Sequence, residues 1–89
     1  MKVDYTAYFT QDMARRIYNS LLEKDSGQLP FPEFKLHYSI RERAENNEPL
    51  EVVLEIFDED NNKEASYTLK YDGSYSAYRF IRGNEIVKR

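Results

Sequence analysis

The chain has no cysteine. That removes disulfide staples, thiolate nucleophiles and cysteine-ligated zinc together. It has one histidine, His37, so no second imidazole lies at metal-ligand spacing, and no cofactor is expected. A hydrolytic triad also needs a nucleophile and an orienting group in reach of its base, and a histidine in the middle of a strand on a solvated face does not supply that setting. No apolar run is long enough for a membrane span or a signal-peptide core, so neither is expected. A basic total, the usual mark of a strong nucleic-acid binder, is missing too: the formal net charge is −3.

What is present is the composition of a small folded domain. Hydrophobic residues make up 40% and charged residues 33% of 89 positions, which separates the chain from disordered sequences and sets one domain over residues 1–89 as the expectation. Tryptophan is absent, but there are eight tyrosines and five phenylalanines. Tyrosine suits positions with one end in a core and a hydroxyl in water, and it is enriched in binding surfaces.

Hydrophobic periodicity divides the chain into elements. Val3, Tyr5, Ala7 and Phe9 alternate with polar neighbours and predict a first strand. Thr10 then offers a hydroxyl N-cap, with Gln11 and Asp12 in the first turn. Met13, Ile17 and Leu21, flanked by Ala14 and Tyr18, form an apolar stripe opposite Arg15, Arg16, Asn19, Glu23 and Lys24. The spacing predicts an amphipathic helix of about four turns, closed near Gly27. Pro30 and Pro32 cannot continue it. Phe34, Leu36, Tyr38 and Ile40 form one face of the next strand, with Lys35, His37, Ser39 and Arg41 on the other. After a loop over 44–49, Leu50, Val52, Leu54 and Ile56 point inward, while Glu51, Val53, Glu55 and Phe57 point outward.

Two turns set the expected register of the remaining strands. A two-residue turn at Asn61 and Asn62 would place Ile56 beside Tyr67 and Leu54 beside Leu69. Asp72-Gly73 is the preferred pair for a type I′ turn, since both central positions need positive φ. It would place Leu69 opposite Ser76, Tyr67 opposite Tyr78 and Ala65 opposite Phe80. Gly83 and Asn84 would make a last turn, returning Ile86 and Val87 beside Ile81 and Phe80. The fold class that follows is α+β: one amphipathic helix packed on a four- to six-stranded antiparallel meander, in β-α-β-β-β-β order. That element order resembles the cystatin-like arrangement, in which a curved antiparallel sheet wraps a long helix. The loop over 44–49 contains none of the glutamine-valine-glycine hairpin motif of cystatin protease inhibitors, so the resemblance implies a fold and carries no inhibitory activity with it.

Three features bear on function. Asp58-Glu59-Asp60-Asn61-Asn62 spaces oxygens like the start of a calcium loop, but Lys63 stands where such a loop needs glycine and Leu69 where it needs glutamate; a solvated hairpin tip is the better account. The outward sheet face carries Lys35, Arg41 and Arg43 on one strand, Glu51 and Glu55 on the next, and Lys70 and Arg79 beyond. Alternating signs pin strand register. With Phe57, Tyr75, His37 and Val53 they also compose a mixed apolar and charged docking face. Aromatics among bases can stack single-stranded nucleic acid, although Glu51 and Glu55 would repel phosphates. Leu29 and Phe31 either fold back beneath the helix or project as an anchor on a proline-stiffened loop. The expectation is a non-enzymatic protein-interaction module (adaptor, inhibitor or regulator) in a reducing, bacterial cytoplasm. Its candidate surface is Phe31, Lys35, His37, Arg41, Phe57, Lys70, Tyr75 and Arg79. Its partner is an unidentified protein, with a sheet edge open to a second copy and no membrane role. A single-stranded nucleic-acid module is the alternative reading, and a minor enzyme or small-ligand site beside the helix the third.

Overall fold

A computed structural model describes residues 5–74, 77–82 and 85–87. A 3-10 turn (Tyr5–Tyr8) leads into one helix, α1 (Gln11–Leu21), and six strands follow: β1 (Ser26–Pro30), β2 (Lys35–Arg43), β3 (Pro49–Phe57), β4 (Lys63–Ser74), β5 (Ala77–Arg82) and β6 (Glu85–Val87). They form one antiparallel sheet in sequence order. This is the α+β class and the helix-on-meander arrangement that the periodicity predicts.

The helix starts where the sequence places it: Thr10 Oγ1 accepts the Met13 N–H at 3.1 Å, and Asp12 adds a carboxylate to the first turn. Met13, Ala14, Ile17, Tyr18 and Leu21 are all buried. Its end differs. The helix stops at Leu21, about three turns long, and a side chain from β2 caps its last carbonyl. Arg43 Nη1 donates to Leu21 O at 2.7 Å and to Asn47 O at 3.0 Å, and its Nη2 reaches Lys24 O and Asp25 Oδ1. A planar guanidinium can serve several acceptors at once.

The core is aromatic and lies between the helix and the inner sheet face. Phe9, Leu36, Val52, Leu54, Ile56, Tyr67, Leu69 and Phe80 are almost fully buried. Phe9 meets Tyr67 edge-on with centroids 5.0 Å apart and Phe80 at 4.6 Å. Tyrosine hydroxyls tie the sheet to the helix: Tyr71 donates to Ala14 O at 2.5 Å and Tyr38 to Ser20 Oγ at 2.8 Å. The Tyr38 ring reaches Ser20 by passing over Gly27, where an added Cβ would lie 2.3 Å from the hydroxyl oxygen.

Several local expectations are corrected. Residues 5–8 coil into a 3-10 turn instead of a strand, closed by Phe9 N–H donating to Thr6 O; Val3 lies outside the described residues. The three-residue repeat of that turn seats Tyr5 and Tyr8 around Phe34, both 5.0 Å away. The segment over 26–30, where the helix was expected to close near Gly27 and a proline-stiffened loop to follow, is the edge strand β1, and an edge strand is where sheets tolerate a proline such as Pro30. Asp72 and Gly73 lie inside β4 at an irregularity between Tyr71 and Ser74. The connection to β5 falls at 75–76, outside the described residues. Leu69 therefore faces Phe80, and Tyr71 faces Tyr78. Similarly, Ile56 faces Ala65 and Leu54 faces Tyr67, because a wider turn spans 58–62, closed by Asp58 N–H donating to Asn62 O and by Asn61 at φ 65°. The expected pairing of Phe80 with Val87 and Ile81 with Ile86 is present; the turn residues Gly83 and Asn84 lie outside the described residues.

Candidate functional site

Every described element that is not a strand packs on the inner face, so among the described residues the outer face has no cover. Strand alternation brings its side chains into rows across the sheet. Lys35 stands beside Phe57, His37 beside Glu55, Ser39 beside Val53, Val53 beside Thr68, and Thr68 beside Ile81. The His37 ring meets Phe57 edge-on at 5.0 Å. Val53, Thr68 and Ile81 are half-buried in the next row.

Ions frame these rows. Arg41 Nε lies 3.6 Å from Glu51 Oε1, and Lys63 Nζ lies 3.3 Å from Glu55 Oε2. Lys35 Nζ donates to Asn61 Oδ1 at 3.1 Å, across the hairpin tip. Lys70 sits between Glu51 and Arg79, so two like charges oppose each other on β4 and β5.

The structure thus brings Lys35, His37, Arg41, Phe57, Lys70 and Arg79 onto one face. Phe31 is not among them. It is half-buried in the β1–β2 connection, stacked on Phe34 at 4.6 Å with rings 15° apart and edge-on to Tyr8. Tyr75 lies outside the described residues. Arg43, expected on the outer face, reaches the helix end instead, since register shifts on both sides of Glu42 break the alternation. Sequence reasoning also passed over Ile81 and Lys63 as members of the face. Ile81 follows from alternation with Arg79, whereas Lys63 reaches the face through the irregularity between Ile56 and Phe57.

Polar chemistry elsewhere is engaged in holding local structure. Asp58 Oδ1 accepts the N–H groups of Asp60 and Asn62, both at 2.8 Å, and Asn62 Nδ2 approaches Oδ2. The Asn62 N–H, chiefly, holds this carboxyl below its ordinary range. Tyr8 donates to Glu33 Oε2 at 3.0 Å, which raises its phenol. Among the described residues no group of three histidine, aspartate or glutamate side chains could hold a metal, and no helix is long and apolar enough to cross a membrane.

Two surface clefts of about 190 Å³ flank the β1–β2 connection. The first lies between α1 and β1, over Met13, Leu29 and Phe31, with Asp12 and Arg16 at its mouth. Asp12 is bridged by Arg15 at 3.3 Å and Arg16 at 3.1 Å. The second lies between Phe31, Phe34 and the acids Asp58 and Glu59.

No protein-family model matches the chain, and no curated protein or solved structure is significantly similar to it.

Proposed function

We propose that the chain is a small, non-enzymatic protein-interaction module of the cytoplasm, an adaptor, inhibitor or regulator that docks a partner protein on its outer sheet face. One observation carries this reading. The helix, the 3-10 turn and the buried aromatic core all lie on the other face, and the uncovered one presents Phe57, His37, Val53 and Ile81 among charged side chains. A few apolar anchors inside a polar surround are what protein interfaces use. Glu51 and Glu55, held by Arg41 and Lys63 at the middle of the face, favour this over the nucleic-acid alternative, because they occupy the cations that phosphates would need.

The test compares the chain with its Phe57→Ala variant as bait in cells that express it, with nuclease treatment before elution. Proteins that survive nuclease and are lost with Phe57→Ala support the reading. A parallel fluorescence titration with mixed single-stranded oligonucleotides at two salt concentrations addresses the alternative. Submicromolar binding that weakens steeply with salt, through counterion release, overturns the protein-docking reading.

A further inference from the structure

The sheet ends on β1; among the described residues no further strand pairs with this edge, which is five residues long and carries Pro30. Residues 26–30 carry no charge. Their pairing with β2 runs unbroken from Ser26 opposite Ser39 to Pro30 opposite Lys35, whereas the β2–β3, β3–β4 and β4–β5 pairings all contain irregularities. Pro30, at the last position, limits the length of the edge without closing it.

The cleft between α1 and β1 adjoins this edge. Leu29, Phe31 and Tyr8 wall it over Met13, and the Asp12 and Arg16 charges at its mouth compensate each other at 3.1 Å. Alternation directs Gly27 and Leu29 to the helix side of the sheet and Gln28 to the other. A strand hydrogen-bonded to β1 would therefore set one of its own helix-side residues beside Leu29, over the cleft. Sites for small organic ligands usually enclose roughly 300–1,000 Å³. At about 190 Å³, this one is sized for a single large side chain.

We propose that β1 and the adjoining cleft form a peptide-binding site, which takes an extended segment of a partner by strand addition and seats one large, uncharged apolar side chain over Leu29 and Met13. Main-chain pairing would give affinity and the cleft specificity, as in other edge-binding modes. The proposal rests on reading the chain as an interaction module but uses a different surface from the outer face. A second copy is the weaker occupant. A stable protein interface takes about 800 Å² from each partner, more than a five-residue edge with one side-chain cleft provides.

The experiment selects random short peptides from a display library against the whole chain, then maps the selected peptides on the amide resonances of the chain. The expected result is a shared large apolar residue at one fixed position, shifts centred on Ser26–Leu29 and Met13, and at least about tenfold weaker binding by Leu29→Glu, with Phe57→Ala unchanged. Shift mapping on the unaltered chain keeps the test valid if Leu29→Glu fails to fold. Selected peptides that map to His37, Val53 and Thr68 and are lost with Phe57→Ala overturn the edge site while leaving the interaction-module reading in place. Failure to enrich any peptide overturns it too, as does a concentration-dependent dimer that protects the β1 amides.

Discussion

The two faces of the sheet are built from the same strands, yet they obey different rules. On the inner face the side chains are large, buried and individually placed: tyrosine hydroxyls reach Ala14 O and Ser20 Oγ, and Tyr38 needs the missing side chain of Gly27. On the outer face the contacts are exposed or half-exposed ion pairs, such as Arg41 with Glu51 at 3.6 Å and Lys63 with Glu55 at 3.3 Å. Pairs of this kind contribute little to stability. The inner face therefore determines whether the chain folds, and the outer face is left free to vary with whatever it meets.

The sharpest way to break that contrast is at adjacent helix positions. Ile17 has no solvent exposure, so Ile17→Asp buries a carboxylate with no cation beside it and is expected to cost about 3–5 kcal/mol. Arg16→Asp replaces an exposed partner of Asp12 and is expected to cost less than about 1 kcal/mol. Denaturant midpoints of the two variants measure the gap; equal losses would mean that the helix does not face the sheet as described.

Next in size is Gly27→Ala. A methyl there meets the Tyr38 hydroxyl at 2.3 Å and the ring carbon beneath it at 2.4 Å, so the buried ring must move and its bond to Ser20 is lost. Overpacking of this kind costs about 1–3 kcal/mol. Double substitution with Tyr38→Leu should recover most of the loss, because the ring that collides is then gone. A Gly27→Ala chain as stable as the parent would refute the close passage of Tyr38.

How much of this was legible in the sequence follows from parity. The hydrophobic pattern specifies which face a residue occupies, and a strand that slips by an even number of residues keeps every residue on its face. Leu69 was expected opposite Ser76 and lies opposite Phe80; Leu54 was expected opposite Leu69 and lies opposite Tyr67. Both slips are even, so the faces of these paired residues were read correctly while the pairing was not. Turn chemistry was the only other guide, and it misled at Asp72-Gly73, where the sequence of a tight turn lies inside a strand. Where parity itself changes, the pattern fails altogether. The irregularity around Glu42 sent Arg43 to the helix end, and the candidate face lost a residue for that reason. Phe31 was legible only as an alternative between core and anchor, and its stacking on Phe34 places it with the core.

Tyr71 offers a smaller test of the inner face. Its hydroxyl donates to Ala14 O, and Tyr71→Phe removes that bond at a cost of about 1 kcal/mol. Burial, chiefly, pushes its phenol above the ordinary value, with Tyr78 and Tyr18 adding to the shift. The folded state thus favours the neutral phenol. Below the ordinary value of about 10, both folded and unfolded chains keep the proton and the contribution is fully present. As pH rises beyond it the unfolded chain ionises first, so stability falls until the buried phenol titrates. Urea midpoints across the alkaline range should drop less steeply in Tyr71→Phe than in the parent. Equal slopes would place the phenol in water.

The outer face allows a substitution in the opposite direction. Lys70 and Arg79 face each other across β4 and β5, and like charges directly opposite on an antiparallel pair are destabilising. Glu51, on the other side of Lys70, is held by Arg41. Arg79→Glu would turn this repulsive pair into an attractive one, giving alternating signs from Arg41 through Glu51 and Lys70 to position 79. The expected gain is about 0.2–1 kcal/mol, with Arg79→Gln, which only removes the repulsion, falling between the two. Added salt should narrow the differences, since these charges are solvent-facing. A loss of stability on Arg79→Glu would show that Arg79 is held by an acid instead of being opposed by Lys70. The outer face would then be as individually determined as the inner one, and the contrast between them would fail.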